Sequence, residues 1–267
     1  MKKKKYRVPV TNDGQQYKRK NIKKDCKLIS QFHVLNKELE KLKTDTDKQI
    51  NKKQKMKVIT KQLQEVGGID TYQATSRLGE FKNGSTNSAK WVVRQLKEHN
   101  IRLSTPTKLR LLDVGALQLN YTKFKWIEST AIDLNPSQPG ILKADFFDLK
   151  VKSSKVYDVL VLSLVLNFVG MPHRRGEMLK KCAQVCKQMG YLIIVLPLAC
   201  VTNSRYLTHD HLIAILDSIG FTLITSHNSR KLSYKMFQLT KESTKTSFKK
   251  QILNNGTKCN NFSIVVR

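Results

Sequence analysis

The sequence lacks several features that mark common protein classes. None of its five cysteines forms a C-x-x-C pair, and no histidine lies at metal-ligand spacing from them, so we expect no bound metal and no disulfide framework. No uninterrupted apolar run reaches about 18 residues, the length that a membrane-crossing helix needs. The first ten residues, MKKKKYRVPV, have no apolar signal core. The sequence therefore predicts an intracellular protein with reduced thiols and no membrane partner.

Acidic residues are also scarce, and this shapes the charge of the whole chain. The 20 Asp and Glu stand against 49 Lys and Arg, which gives a net charge of +29. The excess is concentrated in two flanks: residues 1–66 hold 20 basic and 7 acidic residues, and residues 228–258 hold 8 and 1. This distribution favours binding to a polyanion, most simply nucleic acid. The alternative for the first lysines is a solubilising or nuclear-import segment.

A third absence concerns the stretch LRLLDVGALQLN, residues 109–120. Its apolar run ends in Asp113 and then Gly115, as a strand enters a nucleotide-binding turn, but the G-x-G-x-x-G pattern of dinucleotide sites does not follow. S-Adenosylmethionine has no pyrophosphate for such a turn to hold. The single glycine therefore favours an S-adenosylmethionine site over a dinucleotide site.

The chain divides by composition into three parts. Residues 1–27 are charged, carry few apolar side chains and are predicted to be a basic disordered tail. Residues 28–105 are predicted to be a helical N-terminal region. In residues 106–267 short apolar runs alternate with helical segments, which predicts an α/β domain with a mainly parallel, Rossmann-like sheet and an antiparallel edge. The apolar runs are 109–114, 130–134, 141–142, 156–163, 191–196, 221–225, 236–239 and 262–266, and the helical segments are 174–188 and 208–219.

Acidic side chains follow successive strands of the predicted sheet. Ligands of such sheets bind outside the carboxyl ends of the strands, and an acid about 20 residues past the first turn is placed to bind a ribose diol. Two structural alternatives are open: Asp113 is a solvated strand end, or Asp133 caps the turn before Asn-Pro. Taken together in this order, the residues predict a site for S-adenosylmethionine. The predicted cofactor-binding residues are Asp113, Gly115, Asp133, Leu134, Asp145, Phe146 and Ser163.

The segments after the fourth and fifth strands carry candidate substrate residues. A flipped base needs an amide for hydrogen bonding and an aromatic face for stacking, and Asn167 and Phe168 are the predicted catalytic residues of this kind. Their alternatives are a helix cap for Asn167 and core packing for Phe168. Asn203, Arg205 and Tyr206 are predicted to bind substrate by gripping a phosphate or stacking on a base, with a helix-entry turn as the alternative.

Two further charged clusters have simpler interpretations. Arg174 and Arg175 are predicted to be solvated helix charges, with phosphate contact as the alternative. The run His209-Asp210-His211 has no third ligand segment, so it is predicted to be a helix N-terminus rather than a metal site. Cys182 and Cys186 share a helical face with apolar neighbours and are predicted to lie in the core.

Several idiosyncratic segments between about residue 66 and the C-terminus carry a resemblance. They are "GGIDTYQATSRLGEF", "LLDVGAL", "AIDLNP", "ADFFDL", "YDVLVLSLVLNFVGMPHRRGEML" and "VLPLACVTNSRYL". Through them the chain resembles the fungal large-subunit ribosomal RNA adenine-N1 methyltransferase family of class I methyltransferases. The resemblance implies S-adenosylmethionine as cofactor, with Gly115 and Asp133 in its site. It also implies ribosomal RNA within a pre-ribosome as partner, and a nuclear, nucleolar location.

The same resemblance leaves one alternative function. An animal relative of the family resembles an S-adenosylmethionine sensor in nutrient signalling, so a non-catalytic sensor that binds a protein partner stays open. For the enzyme, neutral adenine N1 is already a nucleophile, and catalysis is expected to rest on orientation rather than on a general base. We expect the protein to be a monomer.

Overall fold

The computed structural model describes residues 49–65, 88–101, 107–149, 156–244 and 246–267, together with six single positions between 31 and 42. The predicted tail at 1–27 lies outside these residues. Within them, no helix is long and apolar enough to cross a membrane. The helices are α1 (Gln49–Glu65), α2 (Ser88–Glu98), α3 (Pro172–Val185), α4 (Ala199–Thr202) and α5 (His209–Ile219).

Seven strands form one twisted sheet in the order β3-β2-β1-β4-β5-β7-β6. The first five strands are parallel to their neighbours, whereas β7 is antiparallel to both β5 and β6. This is the mainly parallel, Rossmann-like sheet that the sequence predicted. The strands are β1 (Leu109–Val114), β2 (Ile127–Asp133), β3 (Leu142–Lys143), β4 (Tyr157–Ser163), β5 (Cys186–Pro197), β6 (Phe221–Asn228) and β7 (Leu232–Leu239).

The end of the sheet confirms one expectation and corrects another. The edge is antiparallel as predicted, because the edge strand β6 and its neighbour β7 pair in opposite directions. The apolar run at 262–266 is not a strand of the sheet. It contributes one isolated bridge, between Phe248 and Val266, and its backbone also bonds to Ser204 and to α3, where the Val265 N–H donates to the Pro172 carbonyl.

The sheet is buried on both faces, as its continuous apolar runs predicted. Helix α2 covers one face, with Trp91, Val92 and Leu96 packed against strand residues such as Leu111. Helices α3 and α5 cover the other face, where Cys182 and Cys186 lie in the core as predicted. Because α2 shares a core with the sheet, the packed unit includes residues before 106. The division of the chain into domains stays a prediction.

The parallel strands place their carboxyl ends along one edge of the sheet, which we call the carboxyl edge. Helix α5 begins beside it, with Thr208 as the N-cap: its hydroxyl oxygen accepts the His211 N–H at 3.1 Å. The His209-Asp210-His211 run therefore forms a helix N-terminus, as predicted. In the part of the chain that is described, no group of three potential ligands could hold a metal ion.

Candidate functional site

The first turn of the carboxyl edge follows β1 and explains the single glycine. Gly115 has a φ of +69°, which L side chains rarely adopt. A Cβ at this position would lie 2.6 Å from Cγ2 of Val165, in the segment after β4. Gly115 therefore allows both the backbone turn and a close approach between two strand ends. Asp113, just before it, is 6% exposed, so the interpretation as a solvated strand end is wrong.

Backbone hydrogen bonds join this turn to the end of β2. The N–H groups of Gly115 and Ala116 both donate to the Ile132 carbonyl, at 2.8 and 3.0 Å. The next residue, Asp133, accepts the Asn135 N–H on one carboxylate oxygen at 2.8 Å, so the turn-capping alternative is observed. Leu134, the next residue, is 58% exposed.

The end of β3 lies next to the β2 turn at the carboxyl edge. The Asp133 carbonyl accepts the Ala144 N–H at 3.0 Å, which brings Asp145 next to the β2 turn. Asp145 accepts the Phe147 N–H at 2.8 Å and caps the short 3-10 turn Phe146–Asp148. The Phe146 ring is 3% exposed and belongs to the core. Its ring therefore offers no open face to a base, and only its backbone lies at the edge.

The end of β4 makes a strained turn. The Ser163 hydroxyl donates to the Ser88 hydroxyl at 2.8 Å, which ties the strand end to the start of α2. Leu164 then has a φ of +59°, a left-handed conformation that costs an L residue about 1–2 kcal/mol. Its N–H still donates to the Val195 carbonyl of β5 at 2.9 Å. Strain of this kind in a non-glycine residue is typical of functional sites.

Asn167 lies three residues after Leu164, in the segment that follows this turn at the carboxyl edge. Its Oδ1 atom is buried and has no hydrogen-bond partner among the described residues. Helix α3 begins only at Pro172, with Met171 as its N-cap, so the interpretation of Asn167 as a helix cap is wrong. A buried acceptor without a donor costs about 1–3 kcal/mol. The geometry is that of an acceptor that a bound donor would satisfy.

Phe168 is only half-buried and is not part of the buried hydrophobic core. Its N–H donates to the Val165 carbonyl at 2.9 Å and closes a turn over residues 165–168. Core packing, the alternative for this ring, is therefore not observed. The amide and the aromatic ring are brought together at the end of β4.

The loop after β5 is held by a part of the chain that the sequence pattern did not connect with it. This part, residues 246–267, is called the C-terminal segment below. Arg205 donates from its backbone N–H to the Asn260 carbonyl at 2.9 Å and from Nη1 to Oδ1 of Asn261 at 2.7 Å. Asn203 donates to the Lys258 carbonyl at 3.3 Å. The loop therefore has a fixed conformation rather than that of a free phosphate-gripping arm.

At the end of the loop after β5, the aromatic ring of Tyr206 contacts the basic side chain of Lys250. The Lys250 ammonium lies 4.1 Å from the ring centroid of Tyr206, within the range of a cation–π contact. The Tyr206 N–H donates to the Ser204 hydroxyl at 3.1 Å. Lys250 was not among the predicted site residues, since only the folded chain brings residue 250 to residue 206.

The two neighbouring arginines of α3 differ from each other: Arg174 is a surface charge as predicted, whereas Arg175 is not. Arg174 donates to Glu177 at 2.7 Å and stacks on the Phe147 ring at 3.7 Å, on the surface. Arg175 is 6% exposed and is neither a solvated charge nor a phosphate contact. A sequence signal existed, because Arg175 shares a helical face with the buried Leu179 and Cys182.

The comparisons with known proteins agree with the geometry. A family model described as "25S rRNA (adenine(2142)-N(1))-methyltransferase, Bmt2" matches residues 57–264. A Saccharomyces cerevisiae protein named "25S rRNA (adenine(2142)-N(1))-methyltransferase" is 33% identical over 214 residues, which cover 78% of this chain and 63% of that protein. A Schizosaccharomyces pombe protein named "25S rRNA adenine-N(1) methyltransferase" is 29% identical over 272 residues, with 96% and 97% covered.

A more distant relative has a different name. The Xenopus laevis "S-adenosylmethionine sensor upstream of mTORC1" is 23% identical over 142 residues, which cover 44% of this chain and 36% of that protein. The chain thus spans just under two thirds of the S. cerevisiae relative, nearly all of the S. pombe relative and about a third of the sensor.

Proposed function

Because the chain belongs to the Bmt2 family of 25S rRNA (adenine(2142)-N(1))-methyltransferases, we propose that it methylates N1 of an adenine in large-subunit ribosomal RNA. The structural observation that supports this most is the buried, unpartnered Oδ1 of Asn167 at the carboxyl edge. The exocyclic amine of adenine, next to N1, is a hydrogen-bond donor. An adenine bound through that amine would satisfy Asn167 and fix the position of N1.

The other end of the carboxyl edge fits S-adenosylmethionine. This cofactor supplies a methyl group on a positively charged sulfur when it is bound. Gly115 keeps the β1 turn free of a side chain, and the Asp113 carboxylate lies two residues before it. Asp133 lies in the turn at the end of β2, and we assign its carboxylate to the ribose diol. The exposed Leu134 is assigned to an apolar contact with the adenine ring, and Asp145 to the amine of that ring.

The residues of this chain would act by orientation. Neutral adenine N1 carries a lone pair, so it can attack the methyl group without prior removal of a proton. The sulfur–methyl bond would break as the nitrogen–methyl bond forms, which leaves a neutral thioether and a methylated base cation that can lose a proton from its amine. Asn167 holds the amine edge, and Phe168 provides a face for stacking. Ser163 lies between the two parts of the site, at the end of β4. Placement of this kind can replace a large part of the entropic cost of bringing two reactants together.

The charge of the chain supports a polyanionic substrate. On α1, Lys53, Lys55, Lys57 and Lys61 are exposed, and the C-terminal segment adds Lys250 beside Tyr206. Lysines that neutralise phosphates release counterions and give most of the sequence-independent affinity for nucleic acid. We assign Asn203, Arg205 and Tyr206 to nucleotides that flank the target adenine. A pre-ribosomal partner, a nucleolar location in the nucleus and a monomeric state belong to the same proposal.

A non-catalytic S-adenosylmethionine sensor is the second candidate, favoured by the similarity to the Xenopus protein. That similarity covers 44% of this chain, whereas the S. pombe methyltransferase covers 96%. A sensor with a protein partner also has no need of a net charge of +29. Both observations favour the enzyme.

Two measurements on the full chain test the proposal. Calorimetric titration with S-adenosylmethionine should show binding to the wild type and to Asp148→Ala, whose exposed carboxylate lies outside the assigned set. Asp133→Ala should bind weakly. Single-turnover reaction with a large-subunit rRNA fragment, followed by nucleoside mass spectrometry with chromatographic separation of the N1 and N6 isomers, should yield N1-methyladenosine. If the chain binds the cofactor but forms no methylated adenosine, the proposed methyltransferase activity is wrong and the sensor function is favoured.

A further inference from the structure

Arg175, near the start of α3, is a buried charge whose partners are unusual. Its guanidinium donates from Nε to the Val169 carbonyl at 2.8 Å, from Nη2 to the Gly170 carbonyl at 3.3 Å, and from Nη1 to the Ser263 carbonyl at 2.6 Å. The group also lies 4.3 Å from the ring centroid of Phe262. All three of these hydrogen bonds go to backbone carbonyls, and none goes to a carboxylate.

Such a group is costly to bury, and this limits the explanations for its presence. Burial lowers the pKa of Arg175 to about 10, so the side chain remains charged at neutral pH and keeps its fork of donors. A buried charge without a carboxylate partner has no ion pair to offset its desolvation. An apolar residue on the same helical face would pack at less cost. What an apolar residue cannot do is hold three carbonyl oxygens in a fixed arrangement.

The first two carbonyls belong to the segment that carries the proposed base contacts. Val169 and Gly170 directly follow Phe168, and Asn167 precedes it. The α3 helix thus holds the end of this segment through Arg175, while the turn at Leu164 fixes its beginning. Movement of the Val169 and Gly170 carbonyls would move the Asn167 amide with them.

The third carbonyl belongs to the C-terminal segment, which holds the loop after β5. The Ser204 hydroxyl donates to the Phe262 carbonyl at 2.5 Å, and the Asn260 N–H donates to the Asn203 carbonyl at 2.8 Å. The segment itself packs directly on α3, because a Cβ at Gly176 would lie 2.0 Å from the Val265 carbonyl oxygen. Arg175 therefore lies at the junction between the two loops that face the proposed substrate.

We infer that Arg175 is a positioning residue: it sets the Asn167–Phe168 segment relative to the Asn203–Tyr206 loop, so that one target nucleotide is held from both sides. The inference rests on the proposed function of these two loops. Arg175 itself touches neither cofactor nor base in this account. Its effect on the reaction passes through the backbone that it holds.

The test compares Arg175→Lys with Arg174→Met in the full chain. Lysine keeps the charge but is a single point donor and cannot hold three carbonyls in the geometry of a guanidinium. We expect the single-turnover rate at saturating RNA to fall roughly 10- to 100-fold, since a misplacement of about 1 Å can cost a hundredfold. S-Adenosylmethionine affinity should stay within about twofold, because the cofactor residues lie at β1 to β3. Arg174→Met, with its exposed side chain one residue away, should behave as the wild type.

A second readout does not depend on activity. Hydrogen exchange followed by mass spectrometry should show faster exchange of the Phe168 amide, which donates to Val165, in Arg175→Lys and not in Arg174→Met. A purely structural role would instead lower the melting temperature, and the rate would recover when measured well below it. Recovery of that kind, or wild-type rate together with wild-type exchange, would overturn the inference.

The two readouts also separate this inference from the proposed function. If the wild type forms no N1-methyladenosine, the proposed function fails, whatever the exchange data show. If the wild type methylates RNA and Arg175→Lys does so at the same rate, the positioning role alone fails.

Discussion

The two halves of the carboxyl edge are held in place by different kinds of contact. The acidic half comprises the ends of β1, β2 and β3. In its turns a carboxylate accepts the backbone N–H of the residue two positions later: Asp133 accepts the Asn135 N–H, and Asp145 accepts the Phe147 N–H. In the amide half, at the ends of β4 and β5, long-range contacts are added to the local turns. Ser204 bonds to a residue 58 positions away, and Arg175 to one 88 positions away.

The difference matches the two partners that the halves would bind. A small cationic cofactor needs acceptors at fixed points, and local turns are sufficient to hold carboxylates there. A base in a large RNA has to be gripped between two loops, and those loops need an external support that sets their separation. The acidic half can therefore tolerate changes elsewhere in the chain, whereas the amide half depends on the C-terminal segment.

The largest effect is expected on the methylation rate, from a substitution of Asn167 in the amide half. Asn167→Ala should reduce single-turnover methylation by about 2–4 kcal/mol of transition-state stabilisation, or roughly 30- to 1,000-fold, because one orienting hydrogen bond is lost. S-Adenosylmethionine affinity should stay near normal. Ser233→Ala is the matched control, since it removes another buried oxygen without a partner, on β7. Methylation by Asn167→Ala at the wild-type rate would move the orienting role to Asn203–Tyr206.

The next effect tests the contact between the halves at Gly115. Gly115→Ala should weaken S-adenosylmethionine binding by about 2–3 kcal/mol, or roughly 30- to 150-fold, because of the positive φ and the Cβ clash with Val165. Calorimetry measures the change. Val165→Ala added to the same chain should restore part of the affinity, since it removes Cγ2. If the double variant binds S-adenosylmethionine no better than Gly115→Ala alone, the whole loss comes from backbone strain.

A smaller effect is expected from the aromatic ring of the amide half. Phe168→Ala should weaken RNA binding by about 1–3 kcal/mol, or roughly 5- to 150-fold, the usual value of stacking between a base and an aromatic ring. Phe124→Ala provides the control, because Phe124 is also half-buried but precedes β2, at the opposite edge of the sheet. Equal losses in the two variants, measured by fluorescence anisotropy with a labelled fragment, would contradict the placement of the base.

The smallest effect concerns charge outside both halves. Residues 1–27 hold 11 Lys and Arg, and their deletion should make the salt dependence of RNA affinity shallower. Each lost phosphate contact should change the slope of log K against log[salt] by about 0.7–0.9, or about threefold in affinity between 50 and 200 mM salt. S-Adenosylmethionine affinity should not change. An RNA affinity that is insensitive to salt in the full chain would favour the sensor.

The parts of the fold that could be predicted are those set by local pattern. Strand β1 has the predicted bounds, Leu109–Val114, and α5 begins one residue after its predicted start, because apolar periodicity and a Thr cap are visible in the sequence. The antiparallel edge was also predicted, because the last strands follow one another without a long helix between them. The strand order within that edge was not predicted: the insertion of β7 between β5 and β6 depends on pairing between distant residues, which periodicity does not encode.

The same limit applies to the site. The sequence order of acids and glycine located the turns at Gly115, Asp133 and Asp145, since each lies directly after a strand. The docking of the C-terminal segment could not be predicted, because the run at 262–266 has the apolar alternation of a strand. Its backbone bonds are instead made with α3, Ser204 and Phe248. The burial of Arg175 was missed, although this residue shares a helical face with Leu179 and Cys182. Assignment of these residues to cofactor and substrate stays a prediction.

The place of β7 in the sheet also has a consequence for how the chain folds during synthesis. Strands β6 and β7 form a hairpin whose turn is closed locally, with the Ser229 N–H donating to the Leu232 carbonyl at 2.8 Å. The hairpin can therefore form within microseconds of its completion. Strand β5, however, finds its second neighbour only in β7.

At about 5–20 residues per second, the 42 residues between Pro197 and Leu239 take roughly 2–8 s to synthesise. During that time the apolar edge of β5, which carries Leu192–Leu196, is open to pairing with other chains. Docking of the finished hairpin closes this edge. The nascent chain therefore presents an unpaired apolar strand in the interval between the emergence of β5 from the ribosome and the emergence of Leu239.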